Sequence, residues 1–478
     1  MVNLASDRNL KPWSNAIASP ANEFPLTPLE IIAGNVPSGL RGSLYRNGPG
    51  RLQRGDLRVG HWFDGDGAIL AVHFSDSGPM AVYRYVLTSG YQAETAANSF
   101  IFPNYGMTAP GPFWNNWGKD VKNSANTSVL ALSDRLLALW EGGRPHALDL
   151  DTLDTIGLDN LTKLEDNDSF SAHPKVDPET GEIFNFGVAA GINATLNLYR
   201  SNCTGKIVKK SSFNLEGLPL IHDFVMAGPY LIFFVPPVRV NLFPAAVGIA
   251  SFSEAMEWKP DLGMQILIFD RNNLSLVSRT VTDPFYQWHF TNAYLNESGS
   301  EIAIELVRYP DFQTNQNLKE VSTGKINTPA KGTLWQINID PHTAKVIKQE
   351  ELLDRKCDFP IVSQQQVSQP WRYTYLSTYQ DGSDITANIF NAIARFDRKT
   401  GNLSIANLED NCYPSEPIYV RDRIDFERGW LLTVVYNGNT DTSQVWIYDS
   451  ENIEGDPVCK LALPEVVPHG FHGTWKQG

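Results

Sequence analysis

Leu334-Trp335-Gln336-Ile337-Asn338-Ile339-Asp340-Pro341 is the stretch that decides the fold. From Trp335 to Ile339 apolar and polar side chains alternate, which is the period of a strand with one buried face. Asp340-Pro341 then ends it, because aspartate caps a turn with its own side chain and proline cannot donate to a ladder. Ala392-Ile393-Ala394-Arg395-Phe396-Asp397, followed by Arg398-Lys399-Thr400-Gly401, repeats the design. Outward from these two, further strand–turn–strand units centre near Asp76, Asp151, Cys203 to Gly205, Asp270 and Asp449. Their spacing of roughly 50 to 75 residues is close to one four-stranded sheet per unit.

The expected fold is therefore all-β. Seven such sheets arranged radially make a seven-bladed β-propeller, which leaves only short protected edges around a central channel. A sandwich or two stacked all-β domains is the alternative; regular spacing with no linker favours the propeller. The 478 residues are read as one domain, 1–478, with residues 1–41 as an N-terminal extension packing on it. Helical periodicity is weak, with one candidate near Ala245 to Met256. The preceding segment, Val235 to Ala250, is apolar, proline-broken and nearly uncharged. It reads as a buried loop across one face or as an exposed patch able to seat the protein on a bilayer, so peripheral membrane contact is expected near residues 235–256.

A net charge of −14 argues against nucleic acid and against charge-driven binding to anionic lipid. Cys203, Cys357, Cys412 and Cys459 are scattered without a CxxC pair and read as reduced thiols. The start of the chain lacks a basic region followed by an apolar run, and no uninterrupted apolar stretch is long enough to span a bilayer. The expected setting is the cytoplasm or the cytoplasmic face of a membrane, with no obligate protein partner evident.

Four histidines stand apart: His173 in Ser171-Ala172-His173-Pro174, His222 in Ile221-His222-Asp223-Phe224, His289 in Trp288-His289-Phe290, and His472 in Gly470-Phe471-His472-Gly473. Neutral imidazole is the commonest side-chain ligand of transition metals. Intervals of 49, 67 and 183 residues rule out a local metal loop, so the residues can meet only if the fold gathers them. Inner strands of a propeller do that. His61, His73, His146 and His342 carry no comparable feature. His472 is preferred to its neighbour His469 because Gly473 lets the backbone approach a crowded site. Metal-bound imidazoles usually donate their second nitrogen to a carboxylate. Glu141, Asp358 and Glu416, each flanked by apolar residues, are candidates, since an acid there is costly to bury unpaired.

At this point the chain resembles the carotenoid cleavage oxygenases. The resemblance runs from about Gly42 to the C-terminus. It is carried by Leu44-Tyr45-Arg46-Asn47-Gly48-Pro49-Gly50, His61-Trp62-Phe63-Asp64-Gly65-Asp66-Gly67, Asn126-Thr127-Ser128-Val129, Leu139-Trp140-Glu141-Gly142-Gly143, Ser171 to Pro178 and the four histidine settings. The cyanobacterial carotenoid and apocarotenoid oxygenases are the most similar.

The resemblance implies a seven-bladed propeller with a helical and loop cap over an axial iron site. It implies His173, His222, His289 and His472 as ligands of one Fe(II), with Glu141, Asp358 and Glu416 holding three of them. It implies O₂ as co-substrate and a long apolar polyene as substrate. Asp358 departs from the family's glutamate, so its bond to histidine must be re-spaced or water-bridged. Four neutral imidazoles leave two positions open on an octahedral ion, which suits O₂ at Fe(II) better than zinc. Phe113 and Trp140 are candidates to line an aromatic tunnel, and Thr127 to limit access to an open iron position. The expected reaction is dioxygenase cleavage of one conjugated C=C bond of a carotenoid at 9,10 or 9′,10′. Alternatives are an apocarotenoid cut at 15,15′ to retinal-type products, a stilbene-type phenolic substrate, and a non-catalytic carotenoid-binding propeller.

Overall fold

Aspartate side chains shape the hairpins. Asp340 Oδ1 accepts the amides of His342 and Thr343 at 2.7 and 3.1 Å, and Ala344 closes the turn at φ +58°. Asp270 does the same for Asn272 and Asn273 ahead of Leu274, at φ +59°. Asp149 repeats it for Asp151 and Thr152. Such side-chain mimicry of a backbone turn is what aspartate offers that most residues cannot.

The computed structural model describes residues 11–478. The start of the expected N-terminal extension, residues 1–10, lies outside them, as does the start of the chain read for a leader. Among the described residues the hairpins belong to seven sheets arranged as a seven-bladed β-propeller. Five of the sheets are simple meanders. In one, Phe290–Leu295, Ile302–Arg308, Thr333–Ile339 and Val346–Leu353 run in sequence order from the axis outward. All seven expected turns fall at the hairpin between the last two strands of a meander or its counterpart in the remaining two blades.

Those two blades join the chain ends. Gly473–Gln477 is the inner strand of the first blade and pairs antiparallel with Gly42–Arg51, Leu44 opposite Trp475. Glu30–Gly34 pairs with Cys459–Ala462 at the outer edge of the last blade. Phe24–Pro28 pairs with Gly78–Tyr85 of the first. Residues 24–34 are thus strands of the sheets themselves.

The apolar core is a ring of contacts between neighbouring blades. Phe184, Phe186 and Leu198 of one blade pack on Phe233, Leu267 and Phe269 of the next. Ile232, Phe234 and Ile266 pack in turn on Ile304, Leu306 and Ile337. Each fully buried side chain of this size contributes about 1.5–3 kcal/mol. The four cysteines are free thiols, three of them buried.

The helix expected near Ala245 to Met256 is displaced and shorter. It covers Leu242–Ala246 only, with Pro244 inside it. Met256–Trp258 is instead a strand paired with Val238–Val240. Among the described residues two nine-residue helices, Ser89–Ala97 and Gln313–Val321, carry most of the α-helical structure. Gln313–Val321 lines, through Thr314, Asn317, Leu318 and Val321, an apolar cavity that ends on His222, His289 and His472.

Candidate metal centre and active site

His173, His222, His289 and His472 each sit at the entry to an inner strand: Lys175–Val176, Val225–Ala227, Phe290–Leu295 and Gly473–Gln477. Because inner strands converge, four residues far apart in sequence become neighbours. All four are buried, and one nitrogen from each lies within 4.8 Å of all the others. The Nε2–Nε2 separations are 3.0 Å for His173 and His222, 3.3 Å for His222 and His289, and 3.2 Å for His289 and His472. Gly473 belongs to this packing, since a Cβ there would come within 2.7 Å of the Tyr45 carbonyl oxygen.

The opposite edges of the rings meet acids. His289 Nδ1 donates to Asp358 Oδ1 at 2.7 Å, and His472 Nδ1 to Glu416 Oε1 at 2.9 Å. Glu141 Oε1 is in direct contact with His222 Nδ1. With Nδ1 committed as donor, a neutral ring leaves Nε2 as a bare lone pair. Lone pairs facing each other in a buried site repel unless a cation sits among them. Ligands at right angles on an ion with bonds of about 2.1 Å stand about 3.0 Å apart, near the spacings seen here. The donor set therefore fits a transition metal ion.

Electrostatics agree with that fit at two of the rings, His173 and His472. Burial, helped by the three other rings, holds the His173 imidazole well below its usual pKa. Burial also lowers His472, against the pull of Glu416. At His289 burial is outweighed by the charge and hydrogen bond of Asp358, which raise it. The carboxyls of Asp358 and Glu416 lie below the ordinary range, because their histidine partners overcome the cost of burial.

The short Asp358 reaches His289 directly, with no water bridge. Its strand pairs irregularly between Asp358 and Ile361, and Phe359 takes φ +52°. This bulge re-aims the carboxylate. Phe359 then packs between the His289 and His472 rings, at centroid distances of 5.1 and 5.3 Å.

Asp223 is an acid that sequence reasoning passed over, although it follows His222 directly. One oxygen accepts Lys175 Nζ and the Phe224 amide, both at 2.8 Å. The other accepts the Phe290 amide at 2.9 Å. It thereby ties together the entries that carry His173, His222 and His289. It lies 4.0 Å from His173 Nδ1, beyond a hydrogen bond. His469 is directed elsewhere, with Nε2 2.9 Å from the Trp13 carbonyl oxygen.

An apolar cavity of about 930 Å³, counting its open mouth, ends on His222, His289 and His472. Trp62, Phe63, Trp288, Tyr379, Phe390 and Phe471 supply aromatic walls, and Thr127 stands beside the histidines. Among the described residues, Asp358 and Glu416 are the only charged ones lining it, and both are engaged by histidine. A second, more polar cavity reaches His173, His289 and His472.

Two expected tunnel residues are not among these walls. Phe113 is 44% exposed and packs edge-on with Trp114 and Trp117 at the surface. Trp140 folds back over the next turn, where a Cβ on Gly142 would lie 2.6 Å from its ring. Its place is taken by aromatics from the quoted motif at residues 61–67 and from beside His289 and His472.

The fold and this centre define a propeller oxygenase, and comparison with known proteins agrees. Residues 17–477 match the family described as retinal pigment epithelial membrane protein, and the chain belongs to that family of carotenoid oxygenases. It is 31% identical over 490 residues to the apocarotenoid-15,15′-oxygenase of Synechocystis, covering 99% of this chain and 98% of that one. It is 28% identical to isoeugenol monooxygenase of Pseudomonas nitroreducens, covering 95% of each. Carotenoid 9,10(9′,10′)-cleavage dioxygenase 1 of Arabidopsis thaliana is 27% identical over 93% of this chain and 86% of its own. A solved structure of cobalt-substituted Synechocystis apocarotenoid oxygenase superposes with a TM-score of 0.87 at 29% identity, over 99% of this chain and all of the other. The chain is an oxidoreductase of the class that incorporates O₂.

Proposed function

We propose that this enzyme is an Fe(II)-dependent oxygenase that cleaves one conjugated C=C bond of an apocarotenoid at 15,15′, giving retinal-type products. The observation that carries the reading is the apolar cavity that ends on three histidines and offers no uncommitted charge. An uncharged polyene loses nothing by desolvation there, whereas a charged substrate would find no lysine or arginine along the walls. Likeness over the whole chain to the Synechocystis enzyme supports the apocarotenoid over a full-length carotenoid cut at 9,10.

His173, His222, His289 and His472 would hold the iron, with Glu141, Asp358 and Glu416 orienting three of the rings. Bound there, iron would supply activation of O₂. The protein's own part is to exclude water with Trp62, Phe63 and Phe471, and to lay one double bond of the substrate against the histidine end of the cavity. Thr127, beside that end, would restrict how closely a ligand approaches. No lining acid or base is free to move a proton, and the reaction class requires none.

The exposed segment around Phe243 and Ile249 supports peripheral membrane contact. Trp117 Nε1 donates to the Val247 carbonyl at 3.1 Å, joining it to the Phe113–Trp117 cluster in one apolar surface. Among the described residues no helix is long and apolar enough to cross a membrane.

Product analysis by chromatography and mass spectrometry, after incubation with an apocarotenal and separately with β-carotene, tests the reading. Retinal-type products from the apocarotenal are expected. Cleavage of β-carotene at 9,10 with the apocarotenal untouched would replace it by the other bond.

A further inference from the structure

The three acids behind the histidines are supported in three different ways. Glu416 Oε2 accepts the Gly473 amide at 2.9 Å and lies 3.3 Å from Arg46 Nη1. Glu141 is partly exposed, with 28% of its side chain open, so water can serve its second oxygen. Asp358 is buried, and among the described residues no lysine or arginine pairs with it. Its Oδ2 accepts the hydroxyl of Tyr309 at 2.6 Å, while Oδ1 takes His289 Nδ1 at 2.7 Å and the Phe359 amide at 2.8 Å.

We infer that Tyr309 is a positioning residue that holds the short Asp358 carboxylate in the plane of His289, and so sets the metal affinity of the four-histidine centre. The inference rests on the metal reading above. An aspartate has one methylene fewer than the glutamates on the other rings, so the backbone bulge brings the carboxylate within reach. The bulge alone leaves the carboxylate free to turn about its last bond. Two donors on opposite oxygens remove that freedom: the Phe359 amide on one and the Tyr309 hydroxyl on the other. Tyr309 is itself fixed, because its amide donates to the Tyr286 carbonyl at 2.8 Å and Tyr286 returns the bond at 3.0 Å. Its hydroxyl stays protonated, since burial and the neighbouring Asp358 charge push its pKa far up. A phenol also leaves more negative charge on the carboxylate than a guanidinium would, which makes His289 the more basic ligand.

The test is Co(II) binding to metal-free protein in competition with a chelator, followed by the visible d–d bands and with apo-protein melting recorded in parallel. Tyr309→Phe should bind Co(II) about tenfold or more weakly and shift the bands. Tyr286→Phe is the control, since the Tyr286 hydroxyl is buried without a hydrogen-bond partner; it should match wild type. In an Asp358→Glu background the longer arm needs no such support, so adding Tyr309→Phe should cost less than about threefold. Equal affinity of Tyr309→Phe and wild type, or the same tenfold loss in both backgrounds, would overturn the inference. Wild-type protein that takes up no Co(II) at all would overturn the metal reading itself, and this inference with it.

Discussion

Arg46 and Glu416 form an ion pair at 3.3 Å in which neither side chain exceeds 6% exposure. Arg46 also donates to the Glu416 and Phe471 carbonyls at 2.9 Å each, so it holds both the acid behind His472 and the chain leading to it. Removing one partner of a buried pair strands the other's charge, at a cost of about 3–5 kcal/mol. Arg46→Met should lower unfolding stability by that amount in urea titrations; a change below about 1 kcal/mol would show that the pair carries little.

His222 faces two of the other rings and rests edge-on against Trp288 at a centroid distance of 4.7 Å. His222→Ala removes one of four donors and leaves Glu141 without its imidazole. Metal content by elemental analysis should fall to well under half of wild type, with turnover reduced about a hundredfold or more. Unchanged iron and turnover would remove His222 from the centre.

Three histidines outside the cluster make the fold acid-sensitive. Burial holds His61 down to about 3, and His146 and His469 down to about 4. In the unfolded chain each binds a proton near pH 6.5. A depressed folded pKa means that stability is fully present above about pH 6.5 and is lost as pH falls toward the folded values. Each contributes a slope of about 1.4 kcal/mol per pH unit near pH 5. Denaturant midpoints from pH 7.5 to 5 should fall accordingly, and His146→Gln should remove about one proton from the linkage. An unchanged slope would show that His146 is protonated in the fold.

The apolar surface should bind bilayers without charge selection, because a chain at −14 has nothing to gain from anionic lipid. Flotation with zwitterionic vesicles is expected to recover the wild-type protein, insensitive to salt. Trp117→Ser with Phe243→Ser, at 59% and 74% exposure, should reduce recovery severalfold. Equal recovery of both proteins would exclude this surface.

The hairpins were readable because Asp270, Asp340 and Asp397 combine two signals, strand alternation before them and turn chemistry at them. The four histidines were readable from their settings and the family resemblance, but their convergence was a property of the inner strands and not of any local spacing. Phe113 and Trp140 show where composition fails. An aromatic near a site motif can face a cavity, a surface or its own turn, and only packing decides. Asp223 and Tyr309 act through oxygens aimed at other blades, a relation that no window of sequence contains. The short helices escaped notice because nine residues offer barely two turns of periodicity.

If the four histidines hold a metal on which polyene cleavage depends, removing that metal must abolish the cleavage. Metal-free and Fe(II)-reconstituted protein should be compared with the same apocarotenal while O₂ uptake and products are followed together. About one O₂ consumed per bond cleaved, with retinal-type product only in the iron-loaded sample, is the predicted result. Equal cleavage by the metal-free protein would contradict it.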